Sequence, residues 1–373
     1  MGIKTPICDL LGVPHPVLLA GMGGVSYAEV CAAVSDAGGF GTLGMAGRSP
    51  EEIRAEMRRV RALTDRPFGV DLLAALPEQM EAAADVIIEE GARAFVSGLG
   101  VPESLIARFH DAGVVVMSMC GKVRHAIRAA EAGVDVVIAQ GTEGGGHTGQ
   151  VATMALIPQV VDAVDIPVVG AGGLFDGRGL AAALALGAAG AWMGTRFIAS
   201  REAHAAAAYK ERLLAAREDE TLVTRCYSGK PMRVIRNEYV EGWERTPEKI
   251  QPFPMQVMQS AQAGVINAIT GVREPVDPAR DCLPAGQGVG ALHEILPAGE
   301  IVRRTVAQAE ESLRITKNRY EAGLTTVTDL LRTETALLQA RTRRLAAVYD
   351  QRVAAAKLEL ATGVLSTDSE VLK

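Results

Sequence analysis

The chain has 373 residues, 48% hydrophobic and 22% charged, with a formal net charge of −6. That balance supports a sizeable buried core and excludes a wholly disordered chain; the length allows two or three domains, or one barrel of about 250 residues with additions. No basic run stands out in the first three hundred residues, so no nucleic-acid partner is expected, because such partners need a basic face that displaces phosphate counterions.

Residues 1–11 carry one lysine and no long apolar run precedes Pro14, so no secretory leader is expected. Beyond them, short apolar or β-branched runs alternate with amphipathic stretches. The pattern predicts strands over 16–20, 40–43, 68–73, 94–97, 114–119, 136–139, 168–171 and 191–193. Helices are predicted between them over 27–37, 50–63, 77–90, 102–112, 122–132, 154–164 and 177–186. Ser49-Pro50 reads as a helix start, and Gly38, Gly91, Gly113 and Gly133 as helix ends. Eight strands with interleaved helices match an α/β fold of the (β/α)8 TIM-barrel type. A doubly wound sheet is the rival, but it usually carries its glycine fingerprint only in the first strand-to-helix turn, whereas here glycine clusters follow most strands. The apolar run 179–194 is too short and too glycine-interrupted for a membrane span.

Residues 203–216 are alanine-rich and read as a helix. From 221 to 271 the rhythm disappears, prolines punctuate the chain, and 255–269 reads as a helix. The expected organisation is a barrel over 1–220, a smaller, mostly helical cap over 221–284, a return to the barrel over 285–313 that includes the glycine loop 285–290 and a helix over 300–313, and a long helical tail over 314–373. Leu331, Leu338 and Leu345 recur at seven residues in that tail, the period of a narrow helical seam that needs a partner to bury it.

Three loop sets carry the candidate chemistry: Ala20 to Gly24 after the first strand, Gln140 to Gly149 after the sixth, and Gly170 to Gly173 with Trp192 to Thr195 after the last two. Loops after strands seven and eight of such barrels often bind phosphate, because glycines let backbone N–H groups converge on an anion. Gly173 and Gly194 would donate N–H groups and Thr195 a hydroxyl; the alternative is that these glycines merely end strands. No G-x-x-x-x-G-K-[ST] occurs, which excludes a P-loop nucleotidase. His147 lies in the most glycine-dense loop and is a candidate general base, or else a loop histidine with no duty. His15, His110, His125, His204 and His293 have no comparable setting and read as structural. Glu143 is acidic beside the presumed site or simply solvated; Lys122 pairs a phosphate or caps a helix; Cys120 reads as a small buried residue rather than a nucleophile. The five cysteines form no C-x-x-C pair, so neither a disulfide framework nor a zinc site is expected, and a reduced, cytoplasmic protein fits best.

Together, Ala20-Gly-Met-Gly-Gly24, the segment Val137 to Gly149, Pro167 to Gly173, Gly190 to Phe197 and Ala285-Gly-Gln-Gly288 resemble, in order, the motifs of the nitronate monooxygenase family, FMN-dependent barrel enzymes related to flavin enoyl-ACP reductases. The resemblance implies that Gly21, Met22 and Gly23 pass along the flavin ring and that Gln140 and Gly145 line it. It implies that Gly172 and Gly173, with Trp192, Met193, Gly194 and Thr195, hold the phosphate. It implies that His147 abstracts a proton next to a nitro group. Asp71 stands where the family often has asparagine; an acid there lacks the amide donor and would repel a phosphate. Asp71 and Lys122 complete the candidate cofactor set. The implied reaction is oxidation of an alkyl nitronate by O2 to a carbonyl compound and nitrite. The alternatives are an NAD(P)H-dependent reductase of quinones or enoyl thioesters, a non-redox barrel enzyme, and an assembly module driven by the tail. No metal is implied. The tail, from Ala309 onward, resembles the helical hairpin of TolC-type outer-membrane efflux proteins without their strands. It reads as a gene-fusion or frameshift fragment with no membrane role, or as a coiled coil that makes a homo-oligomer.

Overall fold

A computed structural model describes residues 3–74 and 80–321. The chain divides into two compact units, Met1–Ile315 and Thr316–Lys373. The first holds every element below except the end of the helix Ala298–Glu321. The predicted leucine seam, with Leu331, Leu338 and Leu345, lies outside the described residues. No described helix is long and apolar enough to cross a membrane.

The strands in chain order are β1 (Val17–Leu19), β2 (Gly41–Gly44), β3 (Phe68–Leu73), β4 (Ala94–Gly98), β5 (Val115–Cys120), β6 (Val136–Gln140), β7 (Gly146–His147), β8 (Val168–Ala171), β9 (Gly190–Met193), β10 (Thr221–Thr224) and β11 (Met232–Ile235). Eight of them pair in parallel in the order β1-β9-β8-β6-β5-β4-β3-β2, and the parallel bridge Leu18↔Phe40 joins the two ends. The result is a closed (β/α)8 barrel, not a doubly wound sheet. Its strands fall within two residues of the sequence prediction at most ends.

Side chains alternate across the barrel wall, as a two-residue period requires. Val115 and Met117 of β5, Val136 and Ile138 of β6, Val169 and Ala171 of β8 and Trp192 of β9 fill the interior. Val116, Val137, Val168, Ala191 and Met193 face the helices instead. The helix Pro6–Leu11, not anticipated from the sequence, packs Ile7, Cys8 and Leu11 into the interior cluster and closes the N-terminal end of the barrel. Arg93 fixes it by donating Nε and Nη2 to Leu10 O, at 3.1 and 2.5 Å. The ligand end is therefore the C-terminal mouth.

The outer helices begin where the sequence placed them. Pro50–Leu63 opens on a full capping box: Ser49 Oγ accepts the Glu52 N–H and the Glu52 carboxylate accepts the Ser49 N–H at 2.8 Å, a device worth about 1 kcal/mol. The helix expected over 77–90 is described from Met80 to Glu89, residues 75–79 lying outside the described residues.

The segment after the barrel is mostly helical, as expected, but it also carries two strands that were not anticipated. β10 and β11 form an antiparallel hairpin whose second strand pairs with β7, giving a three-stranded sheet. The predicted helix over 255–269 is two helices, Met255–Gln262 and Asn267–Thr270, because Gly264 adopts φ +65° and breaks the turn between them. The helix expected over 203–216 is shorter, Ala207–Ala215, and the one expected over 300–313 is longer, Ala298–Glu321.

Candidate active site

A cavity of about 1110 Å³ opens at the C-terminal mouth of the barrel. Strand alternation aims Asp71 of β3, Gln140 of β6 and Trp192 of β9 into it. Of the residues singled out from the sequence, Gly21, Met22, Gly23, Asp71, Lys122, Gln140, Gly145, His147, Gly172, Gly173, Trp192, Gly194 and Thr195 all line this one space. Met193 does not: Trp192 faces inward, so its neighbour faces the helix layer and is fully buried there.

Backbone approaches backbone at the mouth, and glycine is what permits it. A Cβ on Gly21 would stand 2.2 Å from Asp71 Cβ, and one on Gly145 would stand 2.8 Å from the Ala285–Gly286 peptide. Across the mouth, Gly172 and Gly173 adopt φ +103° and +70°, a conformation that turns successive N–H groups toward one point. The N–H groups of Gly172, Gly173, Gly194 and Thr195 have no hydrogen-bond partner among the described residues. Thr195 Oγ accepts the Gly286 N–H at 2.9 Å, and its own proton has no acceptor there. Five donors at one end of a cavity have the chemistry to receive an anion. The N–H groups of Gly21 and Gly23 are likewise unpartnered.

His147 is held from both sides. Its backbone pairs opposite Met232 in β11, and its carbonyl accepts Gln140 Nε2 at 2.7 Å. Its Nε2 lies 2.9 Å from Ser228 Oγ. That hydroxyl also reaches Lys230 O at 3.1 Å and receives the Lys230 N–H at 3.3 Å. Ser228 has one proton for two acceptors: given to Lys230 O, it lets Ser228 accept Nε2–H and leaves the lone pair on Nδ1; given to Nε2, it reverses the tautomer. Burial, and then the Lys230 charge, push the imidazole down to about 4. His147 is thus neutral at pH 7 and able to take a proton.

Several side chains hold this frame. Arg233, opposite Gly146, donates Nε to Thr142 O at 2.9 Å and Nη1 to Thr221 Oγ1 at 3.1 Å. Glu143 is half-buried beside Gly173: its carboxylate accepts the Thr153 N–H at 2.8 and 3.1 Å and the Thr153 hydroxyl at 2.8 Å, at the start of the helix Thr153–Ala163. Cys120 is buried, and burial pushes its thiol up to about 11, so it is no nucleophile. Lys122 and Arg128, the latter paired with Glu103 at 2.8 Å, form a cationic rim on the side of the cavity opposite β1; His125 lines the cavity beside them, and burial, then the neighbouring cations, hold its imidazole below its usual range. Ser228, Lys230 and Arg233 were not singled out in the sequence. Only the β-run Met232-Arg-Val-Ile235, one apolar stretch with a charge inside it, signalled a strand there.

A family model described as nitronate monooxygenase matches residues 4–308, and one described as outer membrane efflux protein matches residues 298–364. A Mycobacterium tuberculosis protein named (3aS,4S,5R,7aS)-5-hydroxy-7a-methyl-1-oxo-octahydro-1H-indene-4-carboxyl-CoA dehydrogenase is 45% identical over 247 residues, covering 65% of this chain and 69% of that one. The structure of FabK from Thermotoga maritima superposes with a TM-score of 0.78 at 34% identity, covering 85% of this chain and 99% of the other. The nitroalkane oxidase of Streptomyces ansochromogenes superposes with a TM-score of 0.74 at 30% identity, covering 83% and 99%.

Proposed function

This chain belongs to the nitronate monooxygenase family of flavin oxidoreductases, and on that footing we propose that its cavity binds FMN and dehydrogenates an acyl thioester of the coenzyme A class. The observation that carries the proposal is the pairing of two anion-attracting ends in one cavity. The convergent N–H groups of Gly172, Gly173, Gly194 and Thr195 suit a monophosphate. The rim of Lys122 and Arg128, with His125 as a neutral donor between them, suits the phosphates of a second, larger molecule. A volume of 1110 Å³ exceeds the usual ligand pocket of roughly 300–1,000 Å³, and leaves room for substrate beside the flavin.

Bound FMN would supply a two-electron acceptor for the substrate's hydride. The chain supplies the rest. Its neutral His147 takes the proton that leaves the oxidised centre, Ser228 hydrogen-bonds the imidazole at Nε2, and the Gly21–Gly23 backbone and Gln140 orient the planar ring. Met258, in the helix Met255–Gln262, and Phe253, in the turn before it, give the acyl group an adaptable apolar wall. The 45%-identical coenzyme A thioester dehydrogenase supports this substrate class.

A second reading is the oxidation of alkyl nitronates by O2 to a carbonyl compound and nitrite, with His147 as the base for neutral nitroalkanes. The similarity to the Streptomyces nitroalkane oxidase supports it, but the cationic rim has no task in it. Anaerobic mixing of the holoprotein with a 3-hydroxyacyl-CoA, with propionate 3-nitronate and with NADPH separates the readings. The expected result is rapid bleaching of the flavin by the thioester. Bleaching by the nitronate alone, or by NADPH alone, would overturn the proposal in favour of a nitronate oxidase or a reductase.

A further inference from the structure

Asp71 is the only carboxyl among the described residues that line the cavity. It closes the inward face of β3, whose Phe68, Val70 and Leu72 point outward into the helix layer. The residue is 6% exposed, and among the described residues neither of its side-chain oxygens has a hydrogen-bond or ion-pair partner. The neighbouring strands β2 and β4 and the Ala20–Gly24 loop packed on it carry no ionisable side chain. From the cavity, Lys122, Arg128, Lys230 and His147 share its space, and none pairs with it. A carboxylate there would be a buried charge with no donor to satisfy it, whereas the neutral acid needs only one acceptor. Burial alone accordingly holds this carboxyl well above the usual range.

We propose that Asp71 keeps its proton in the folded protein and donates it as a hydrogen bond to an acceptor atom of the bound flavin ring. Bare Gly21 makes the contact possible, because any side chain there would collide with the Asp71 side chain and displace it. The acid then does what an asparagine amide would do at this place: it offers one neutral donor, and the expected repulsion of an anionic cofactor does not arise. The inference rests on flavin binding at this site, and its test separates the two.

The test compares FMN affinity, read by flavin fluorescence, and the flavin midpoint potential in wild-type protein, Asp71→Asn and Asp71→Ala from pH 6 to pH 10. A neutral donor predicts that Asp71→Asn matches the wild type near pH 7 and that Asp71→Ala binds FMN about tenfold more weakly, the worth of one hydrogen bond. It also predicts that only the wild type loses affinity as the pH rises, and that its potential falls more steeply with pH than that of either variant, since reduction takes up protons in all three. A carboxylate predicts the opposite sign: Asp71→Asn binds FMN more tightly than the wild type at pH 7. That result overturns the inference, as does infrared detection in the wild type of no neutral carboxyl band that shifts in deuterium oxide. Failure of every form to bind FMN overturns the flavin reading itself, and the inference with it.

A readout without cofactor follows from the same chemistry. The unfolded carboxyl ionises near its ordinary value of 3.8, while the folded one does not. Folding therefore grows costlier as pH rises above that value, until the folded acid also ionises. Apo Asp71→Asn should melt with the wild type below about pH 4 and increasingly above it at higher pH. Equal melting temperatures at pH 7 contradict a buried neutral acid.

Discussion

The reactivity of His147 is set by two neighbours with different jobs. Ser228 hydrogen-bonds Nε2, and burial, then the Lys230 charge, sets how readily the ring accepts a proton. An unfolded imidazole protonates near 6.5, but this one resists until about 4. The group therefore stays unprotonated across that whole interval, as a weaker base than a free imidazole, at the cost of some folding stability as pH falls through it. The acid limb of kcat/KM should accordingly lie near pH 4 to 5 in the wild type and move to higher pH in Lys230→Met, which removes a repelling charge. An unmoved limb in that variant would show that Lys230 does not tune the base. Met193 illustrates what motif matching alone misses. It sits inside a recognisable run, yet the alternation that turns Trp192 inward turns Met193 out. The period-two rule already in the sequence was enough to separate them.

The barrel strands and most of their helices could be read directly, because each repeats a strong local pattern: an apolar run, a glycine, an amphipathic helix with its cap. The hairpin of β10 and β11 could not. Its strands are four residues each, and one of its partners, β7, is two residues in a glycine-rich loop. What defines that sheet is pairing between residues some eighty positions apart, Met232 with His147 and Arg233 with Gly146, and no local propensity encodes such a register. The hairpin is nonetheless what holds the loop that carries His147. Arg233→Ala removes two hydrogen bonds from a buried position and should cost roughly 2–3 kcal/mol of stability in urea melts. It should lower kcat at least about tenfold, since small misplacements of a base are costly, while FMN stoichiometry remains unchanged. Loss of flavin with kcat intact would assign Arg233 to the cofactor instead.

Over the chain as a whole, two family models overlap on one helix. The nitronate monooxygenase match ends at residue 308 and the efflux-protein match begins at residue 298, both within Ala298–Glu321. The first turns of that helix belong to the barrel: Ile301, Val302, Val306 and Ala309 are buried in the outer core, and Leu313 packs against it. Truncation after Ile315, the end of the first compact unit, should leave FMN binding and the melting temperature close to those of the full chain. Truncation before Ala298 should abolish soluble expression or lower the melting temperature by ten degrees or so, because each large buried side chain contributes about 1.5–3 kcal/mol. Loss of flavin on the first truncation would show that residues beyond Ile315 are needed for the site.

The central claim is that unpartnered backbone N–H groups at the barrel mouth grip the phosphate of FMN. Titration of the apoprotein with FMN and with riboflavin, followed by quenching of flavin fluorescence, tests it most directly. The two ligands share a ring and differ by the phosphate alone. The account predicts one FMN per chain, bound at least about a hundredfold more tightly than riboflavin, because several charge-assisted hydrogen bonds are made to one and not the other. Equal affinity for the two, or binding of neither, would contradict it.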